Sequence, residues 1–176
     1  LRLWDSEGHA ITKLTGHTDK VWGAIELSDG RLLSWAGGFR NIDYTLRLWD
    51  SEGHAIATLT GHTNDVNGAI ELGDGRLLSW SRDATLRLWD SEGHAISVLT
   101  GHTSRVAGAI ELRDGRILSW SGDATLCLWD SDGTPIATLT EHTASVNGAI
   151  DWGDGRLLSR REDKPLRLWD REGHAI

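Results

Sequence analysis

The amino-acid sequence is poor in several residue types that mark particular classes of protein: its 176 residues include no methionine, one cysteine and two prolines. The single Cys127 cannot form an internal disulfide, so we do not expect an oxidised, secreted scaffold, and we expect a cytoplasmic protein. No apolar run approaches the roughly 18 residues of a membrane-spanning helix, so no membrane partner is expected. The 18 basic and 26 acidic residues give a formal charge of −8. This charge would repel a phosphate backbone and argues against nucleic acid as a partner.

The aromatic residues are unevenly distributed among types. The chain has one phenylalanine, Phe39, and one tyrosine, Tyr44, beside ten tryptophans. So uneven a set predicts that one tryptophan position has been copied several times.

The sequence repeats with a period of 40 residues. The string Leu-Arg-Leu-Trp-Asp begins at Leu1, Leu46, Leu86 and Leu166, and a Leu-Cys-Leu-Trp-Asp copy begins at Leu126. We therefore expect a single domain, 1–176, built of units 1–45, 46–85, 86–125 and 126–165 with a partial unit 166–176. Units 46–85 and 86–125 are identical at 32 of 40 positions, which indicates recent duplication.

Each repeat has the pattern of four short strands. Over one period, the sequence predicts strands at 66–72, 76–81, 85–90 and about 94–99. Asp74-Gly75 separates the first two, and Asp-Gly between apolar runs is a strong hairpin signal. No window shows a sustained 3.6-residue period, so we expect an all-β fold with very little helix.

A four-stranded repeat of this length with Gly-His early and Trp-Asp late resembles the WD-repeat (WD-40) β-propeller family, in particular its highly repetitive bacterial members. Gly-His occurs at 16–17, 61–62 and 101–102, and Glu141-His142 departs from it. Trp-Asp closes the string named above in all five copies, and the family's Ser-x-Ser-x-Asp-x-Thr stretch matches 79–85 and 119–125. The resemblance covers the whole chain. It implies four-stranded antiparallel blades, about four of them, preceded by an N-terminal hairpin.

The resemblance also implies that one histidine, serine, aspartate and tryptophan form a hydrogen-bonded chain in each blade. Indole only donates, carboxylate only accepts, and imidazole and hydroxyl do both, so the four can satisfy one another when buried. The matching sets are His17, Ser34, Asp43 and Trp49; His62, Ser79, Asp83 and Trp89; His102, Ser119, Asp123 and Trp129; and His142, Ser159, Asp163 and Trp169.

Serine, histidine and aspartate in one unit are also compatible with a hydrolase. We reject that reading because the set recurs in every unit, where each serine would be a structural link and not a nucleophile at a cleft. A second series, His9, His54, His94 and His174, lies in Glu-Gly-His turns. Copies in neighbouring blades should lie too far apart to share a metal ion. We therefore expect no enzyme, no metal and no cofactor.

Positions that vary between the copies are free to face a partner. They lie in the loop before the first strand and in the turn before the third, and both should open on one face of a propeller. The candidates are Lys20, Trp22, Asp65, Asn67, Arg82, Arg105, Ser145, Asn147 and Glu162. Neutral drift at exposed sites is the alternative explanation.

The first unit carries five extra residues in this turn, within 36–44, and they bring the only phenylalanine and the only tyrosine. Loops elongated on a rigid scaffold often carry recognition, and aromatic and arginine side chains dominate interface hot spots. The sharpest hypothesis is a protein or peptide site at Phe39, Arg40 and Tyr44 with Asn41 and Ile42, beside Trp22 and Lys20. The predicted function is a non-catalytic interaction scaffold or sensor module.

A carbohydrate-binding propeller is the alternative, because Trp35, Trp80 and Trp120 recur in the second strand of three units. We expect these tryptophans to pack between blades, and the series is broken by Arg160 in the last unit.

The number of blades poses a separate question, since about four blades and a hairpin would leave sheet edges exposed. The chain is either a piece of a longer propeller, one half of a homodimer that closes an eight-bladed ring, or a small ring closed by its own hairpin. We favour two chains, because symmetric closure removes both edges.

Overall fold

A computed structural model describes residues 1–38, 43–152, 154–161 and 166–176. All regular structure in these ranges is β-strand, which confirms the predicted all-β fold. The chain begins with a two-stranded hairpin, the N-terminal hairpin, of β1 (Arg2–Trp4) and β2 (Ala10–Lys13). No helix in the described ranges is long and apolar enough to cross a membrane.

Four antiparallel sheets follow, and we call them blades 1 to 4. Blade 1 contains β3 (Val21–Glu26), β4 (Leu32–Ala36), β5 (Leu46–Trp49) and β6 (Ala55–Leu59). Blade 2 contains β7 (Val66–Glu71), β8 (Leu77–Ser81), β9 (Thr85–Trp89) and β10 (Ala95–Thr100). Blade 3 contains β11 (Val106–Glu111), β12 (Ile117–Ser121), β13 (Leu126–Trp129) and β14 (Pro135–Leu139). Blade 4 contains β15 (Val146–Asp151), β16 (Leu157–Arg161) and β17 (Arg167–Trp169).

The hairpin between the first two strands of blade 2 forms where Asp-Gly predicts it. Gly75 takes a φ of 85°, a left-handed conformation that is easily reached without a side chain. The Leu72 N–H donates to the Arg76 carbonyl at 2.8 Å and closes the turn. Asp74 accepts the Arg76 N–H at 3.0 Å and pairs with the Arg76 guanidinium at 2.6 Å, so the turn residues hold one another in place.

The hydrophobic core lies between consecutive blades. One cluster joins Leu46 and Leu48 of blade 1 to Val66 and Leu77 of blade 2, all fully buried. Equivalent clusters join blade 2 to blade 3 and blade 3 to blade 4. Burial of each such side chain contributes about 1.5–3 kcal/mol, so the interfaces between blades account for most of the stabilising burial.

Arginines from the hairpin turns also join neighbouring blades. Arg31 of blade 1 donates to the Ser91 carbonyl of blade 2 at 2.6 Å. Arg116 of blade 3 donates to the Arg171 carbonyl of blade 4 at 2.9 Å. The same arginine therefore orients its own turn and links it to the next blade.

The last blade is incomplete, in agreement with the partial unit 166–176 of the sequence. Its fourth strand is reduced to a single bridge between Trp169 and Ala175, so blade 4 has three strands. In the complete blades the fourth strand pairs at least as far as Leu59, Leu99 and Leu139. This position lies three residues beyond the counterpart of Ile176. The described sheets do not close into a ring, and Ile150 and Leu166 of blade 4 are more than half exposed.

Candidate functional site

A hydrogen-bonded chain of four side chains crosses blade 2. Ser79 Oγ lies 2.9 Å from His62 Nε2, and Asp83 Oδ2 lies 2.8 Å from His62 Nδ1. Trp89 Nε1–H donates to Ser79 Oγ at 3.0 Å. With the proton on Nδ1, His62 donates to Asp83 and accepts from the Ser79 hydroxyl, so every polar atom in the chain is satisfied.

The other blades repeat the arrangement. In blade 1 the two histidine contacts, His17 to Ser34 and His17 to Asp43, are both 2.9 Å. In blade 3 His102 lies 2.8 Å from Ser119 and 3.2 Å from Asp123. In blade 4 Ser159 Oγ lies 2.7 Å from His142 Nε2 and accepts the Trp169 indole N–H at 2.8 Å. Asp163 lies outside the described residues. Trp49 and Trp129 donate to their serines at 2.9 Å.

In blades 1 and 3 the electrostatics of the hydrogen-bonded chain favour neutral histidine and charged aspartate. Burial lowers the pKa of His17 and His102 below the usual range, and the neighbouring carboxylates only partly oppose this. Burial alone would raise the pKa of Asp43, but hydrogen bonds from Thr45, the Thr18 N–H and His17 outweigh it and lower that pKa to about 2. Asp83 and Asp123 also have lowered pKa values, because their hydrogen bonds outweigh burial in the same way.

The distances in blade 2 are those of a serine–histidine–aspartate triad, but a substrate cannot reach the serine hydroxyl. Ser79, Ser119 and Ser159 are fully buried, and each hydroxyl oxygen already accepts an indole N–H. A nucleophile must reach a substrate carbonyl and pass its proton to the histidine. These serines cannot meet a substrate, so the arrangement is suited to holding strands together.

The two variable loops lie together on one face of the blades. The Arg82 N–H donates to the Asp65 carbonyl at 2.9 Å, and the Gly122 N–H donates to the Arg105 carbonyl at 3.0 Å. The Gly37 N–H makes the corresponding bond to the Lys20 carbonyl at 3.0 Å. We call the surface formed by these loops the loop face. The arrangement places variable residues from three blades side by side.

Trp22 and Lys20 form an exposed patch on the loop face of blade 1. The Trp22 side chain is 46% exposed, and its indole N–H donates to the Gly37 carbonyl at the base of the insertion. Lys20 Nζ lies 5.7 Å from the centre of the Trp22 ring, a cation–π distance. Phe39, Arg40, Asn41 and Ile42 lie outside the described residues, and Tyr44 is half-buried.

Part of the sequence matches a known protein family. The family model described as "WD domain, G-beta repeat" matches residues 8–50 and 53–90. The first half of the chain therefore carries WD repeats. A search among curated protein sequences found no match.

Two solved structures resemble nearly all of this WD-repeat chain. The WD40 β-propeller domain of Doa1 is 26% identical over 95% of this chain and 56% of its own, with a TM-score of 0.76. The computationally designed Ika8 protein is 21% identical over 96% of this chain and 52% of its own, with a TM-score of 0.82. The chain therefore spans about half the length of each.

The remaining candidates for partner binding in this WD-repeat chain differ in exposure. Arg82, Arg105 and Asn147 are exposed, whereas Asn67 and Ser145 are half-buried. Asn67 donates to the Val106 carbonyl of blade 3 at 2.8 Å, and Ser145 donates to the Gly122 carbonyl at 3.3 Å. Both therefore connect blades. Glu162 lies outside the described residues.

Asp65 has a structural position that its variability does not reveal. It is buried, accepts the Gly38 N–H at 3.0 Å and lies 3.4 Å from the Arg82 guanidinium. Asp65 of blade 2 therefore holds the backbone of Gly38, at the start of the blade 1 insertion. Motif reasoning also passed over Gly37 and Gly38, although a Gly-Gly pair inside an insertion indicates close backbone approach.

The tryptophans of the second strand pack against glycine within their own blade and against the next blade. A Cβ on Gly68 would overlap the Trp80 ring, and Gly23 and Gly108 stand in the same relation to Trp35 and Trp120. Trp80 and Trp120 pack on the clusters that join blade 2 to blade 3 and blade 3 to blade 4. The described residues contain no group of three or more acidic, histidine or cysteine side chains suited to a metal ion.

Proposed function

We propose that this WD-repeat chain is a non-catalytic scaffold that binds a protein partner through the loop face. The observation that supports it is the Trp22–Lys20 patch, in which a large aromatic ring stays exposed although it is fixed to the insertion by a hydrogen bond. Rigid, amphipathic aromatic side chains contribute much of the energy of protein interfaces. WD40 propellers generally serve as interaction scaffolds, and this supports the same function.

The charges on the loop face indicate the kind of partner. Lys20, Arg82 and Arg105 are exposed there, although the chain as a whole has a charge of −8. Opposite charges across an interface raise association rates and select partners. We therefore propose an extended protein segment that carries acidic residues beside an apolar one, the apolar side chain against Trp22.

Selection of binding peptides from a random library displayed on phage tests this proposal. Trp22→Ala should abolish binding of the selected peptides. Trp152→Ala is the matched control, because Trp152 is similarly exposed, at 53%, but follows β15 at the opposite end of the first strand. Equal losses for the two variants, or no loss for Trp22→Ala, would overturn the proposed site. Phe39→Ala and Tyr44→Ala test the contribution of the insertion.

The contacts of Trp35, Trp80 and Trp120 do not favour the carbohydrate-binding alternative. A sugar platform needs an open ring face, whereas these rings lie on glycines and on the core between blades. A glycan array discriminates between the two functions, and we expect no hits.

We further propose that two copies of the chain close a ring; the alternatives are a piece of a longer propeller and a small ring closed by its own hairpin. The chain matches about half of the Doa1 β-propeller domain, so one copy corresponds to about half of such a propeller. The interfaces between blades inside the chain are apolar and extensive, and a second copy would bury the open flanks in the same way. Measurement of the solution mass tests this proposal.

A further inference from the structure

The three basic side chains exposed on the loop face of blades 1 to 3 have different surroundings. Lys20 of blade 1 follows Asp19, whose carboxylate accepts the Lys20 backbone N–H at 2.8 Å. Arg82 of blade 2 lies 3.4 Å from the carboxylate of Asp65, which is buried beneath it. In blades 1 and 2 each exposed base is therefore accompanied by a carboxylate, and the two charges cancel.

The corresponding positions of blade 3 contain a base and no acid. Arg105 stands at the position of Asp65, and Gly122 stands at the position of Arg82. Ser104 stands at the position of Asp19 in blade 1. Among the described residues, no hydrogen bond or ion pair holds the Arg105 side chain. Arg105 therefore brings an uncompensated positive charge to the loop face.

Asp123, the acidic residue of the neighbouring turn in blade 3, is directed to other partners. Its carboxylate accepts the Thr103 N–H at 2.7 Å, and it accepts the Thr125 N–H at 2.9 Å and the Thr125 hydroxyl at 2.7 Å. It also lies 3.2 Å from His102 Nδ1. These contacts hold the carboxylate within the blade and leave the Arg105 guanidinium to solvent.

The neighbours of Arg105 hold the beginning of its side chain in place. A Cβ on Gly122 would lie 3.3 Å from Arg105 Cγ and 3.7 Å from its Nε, so the side chain lies along the turn. The Arg105 carbonyl accepts the Gly122 N–H at 3.0 Å and the Ser121 hydroxyl at 2.8 Å. A side chain positioned in this way loses less conformational entropy when its charged end binds a partner.

We propose that Arg105 binds a carboxylate of the same protein segment whose apolar side chain lies against Trp22. This inference rests on the proposed function of the loop face and names the residue that recognises the acidic part of the partner. Arginine presents a planar set of donors that can bind a carboxylate through two parallel hydrogen bonds. Lys20 is less suited to this contact, because its Nζ lies 5.7 Å from the centre of the Trp22 ring.

The positions of the two residues determine how the partner segment runs. Trp22 belongs to blade 1 and Arg105 precedes the first strand of blade 3, so the segment crosses blade 2. Facing sheets pack about 10 Å apart and an extended chain rises about 3.3 Å per residue, which separates the apolar and acidic residues by about five or six positions. The Asp65–Arg82 pair has no net charge, so the residues between them are not selected by charge.

Peptides selected on the parent chain by phage display test the contact when their affinities are measured by fluorescence anisotropy. Arg105→Gln keeps most of the side chain over Gly122 and removes the charge. It should weaken binding about tenfold and reduce the loss of affinity with added salt. Arg171→Gln is the matched control, because it removes the same charge from a residue 64% exposed at the opposite end of the blades. We expect no change for the control.

A double variant tests the role assigned to blade 2. Asp65→Asn combined with Arg82→Gln removes both charges of the pair, and the asparagine keeps an acceptor for the Gly38 N–H. Binding should change by less than about twofold, because the pair has no net charge. A loss as large as that of Arg105→Gln would place the recognised carboxylate at blade 2 and overturn the proposal.

An exchange of charges distinguishes a direct contact from an effect on folding. Arg105→Glu should reject the selected peptides and bind versions in which the acidic residue is replaced by lysine. A structural role of Arg105 would not be restored by a change in the peptide. Rejection of the lysine versions by Arg105→Glu would contradict a direct contact.

Trp22→Ala separates failure of this inference from failure of the proposed function. We expect losses for both Trp22→Ala and Arg105→Gln, and an aspartate or glutamate at the stated spacing in the selected peptides. A loss for Trp22→Ala alone would leave the loop face as a binding site and overturn the Arg105 contact. If neither substitution weakens binding, or if the parent selects no peptide, both the proposed site and the contact are wrong.

Discussion

The Glu71 carboxylate of blade 2 holds Ser28 of blade 1, accepting its backbone N–H at 2.7 Å and its hydroxyl at 2.9 Å. The next pair of blades repeats the contact, with the Gly73 N–H donating to Glu111 at 2.7 Å. The last residue of each first strand therefore links its blade to the hairpin turn of the preceding one. The acidic residue at this position of the repeat connects blades and is not a candidate for partner binding.

Glu71→Ala should lower the free energy of unfolding by about 1 kcal/mol. Hydrogen bonds to charged groups contribute about 1.5–3 kcal/mol, and solvent at this turn weakens them. Chemical denaturation followed by tryptophan fluorescence measures the change. Glu71→Gln keeps an acceptor oxygen and should recover part of the loss. A Glu71→Ala variant as stable as the parent would show that the contact adds nothing.

His62→Ala should lower the free energy of unfolding by about 1–3 kcal/mol, because it leaves the buried Ser79 hydroxyl and the Asp83 carboxylate without their partner. His54→Ala is the matched control. His54 also pairs with an aspartate, Asp50 at 2.9 Å, but its side chain is 72% exposed. We expect less than about 0.5 kcal/mol there. Equal effects of the two substitutions in thermal unfolding would refute a special role for the buried chain.

Stability should fall as the pH is lowered, in two stages. The pKa of His17 and of His102 is lowered by burial, so the unfolded chain takes up more protons below its usual histidine value of 6.5. Folding stability is then complete above pH 6.5 and is lost as the pH falls below it. Asp43, whose pKa is lowered from 3.8 to about 2, adds a second loss between about pH 4 and pH 2. A melting temperature that is the same at pH 7 and pH 5.5 would contradict the first stage.

Ala84→Gly should stabilise the chain. Ala84 has a φ of 67°, and this left-handed conformation costs a residue with a Cβ roughly 1–2 kcal/mol. Glycine removes this strain but loses more entropy on folding, so we expect a net gain of about 0.5–1 kcal/mol. Gly75→Ala, at a φ of 85° with open space around the Cβ position, should lose a similar amount. A stabilising Gly75→Ala would contradict this explanation.

Much of the fold was predictable because every repeat has the same pattern of apolar residues and turn residues. The strand predicted at 76–81 is observed as Leu77–Ser81, and the one at 85–90 as Thr85–Trp89. Asp-Gly turns and alternating apolar residues determine these strands locally. The three-stranded blade 4 agrees with the partial unit 166–176 that the sequence indicates, because this unit reaches only the beginning of a fourth strand.

The candidate site was less predictable than the fold. Variation between copies identified Trp22 and Arg82, which are exposed on the loop face, but it identified Asp65 equally well, which is buried against Gly38 and Arg82. Variability alone does not distinguish exposed residues from buried ones, because Asp65 differs from its counterparts where it contacts the insertion of the neighbouring blade. Contacts across sequence separations of this kind are decided by the tertiary structure.

The solution mass tests the central claim, that two copies of this chain complete one ring, most directly. Multi-angle light scattering on the purified chain, over a range of concentrations, measures that mass without reference to a partner. The account predicts one species of about twice the 19.3 kDa of a single chain. A species of about 19 kDa at every concentration would contradict it.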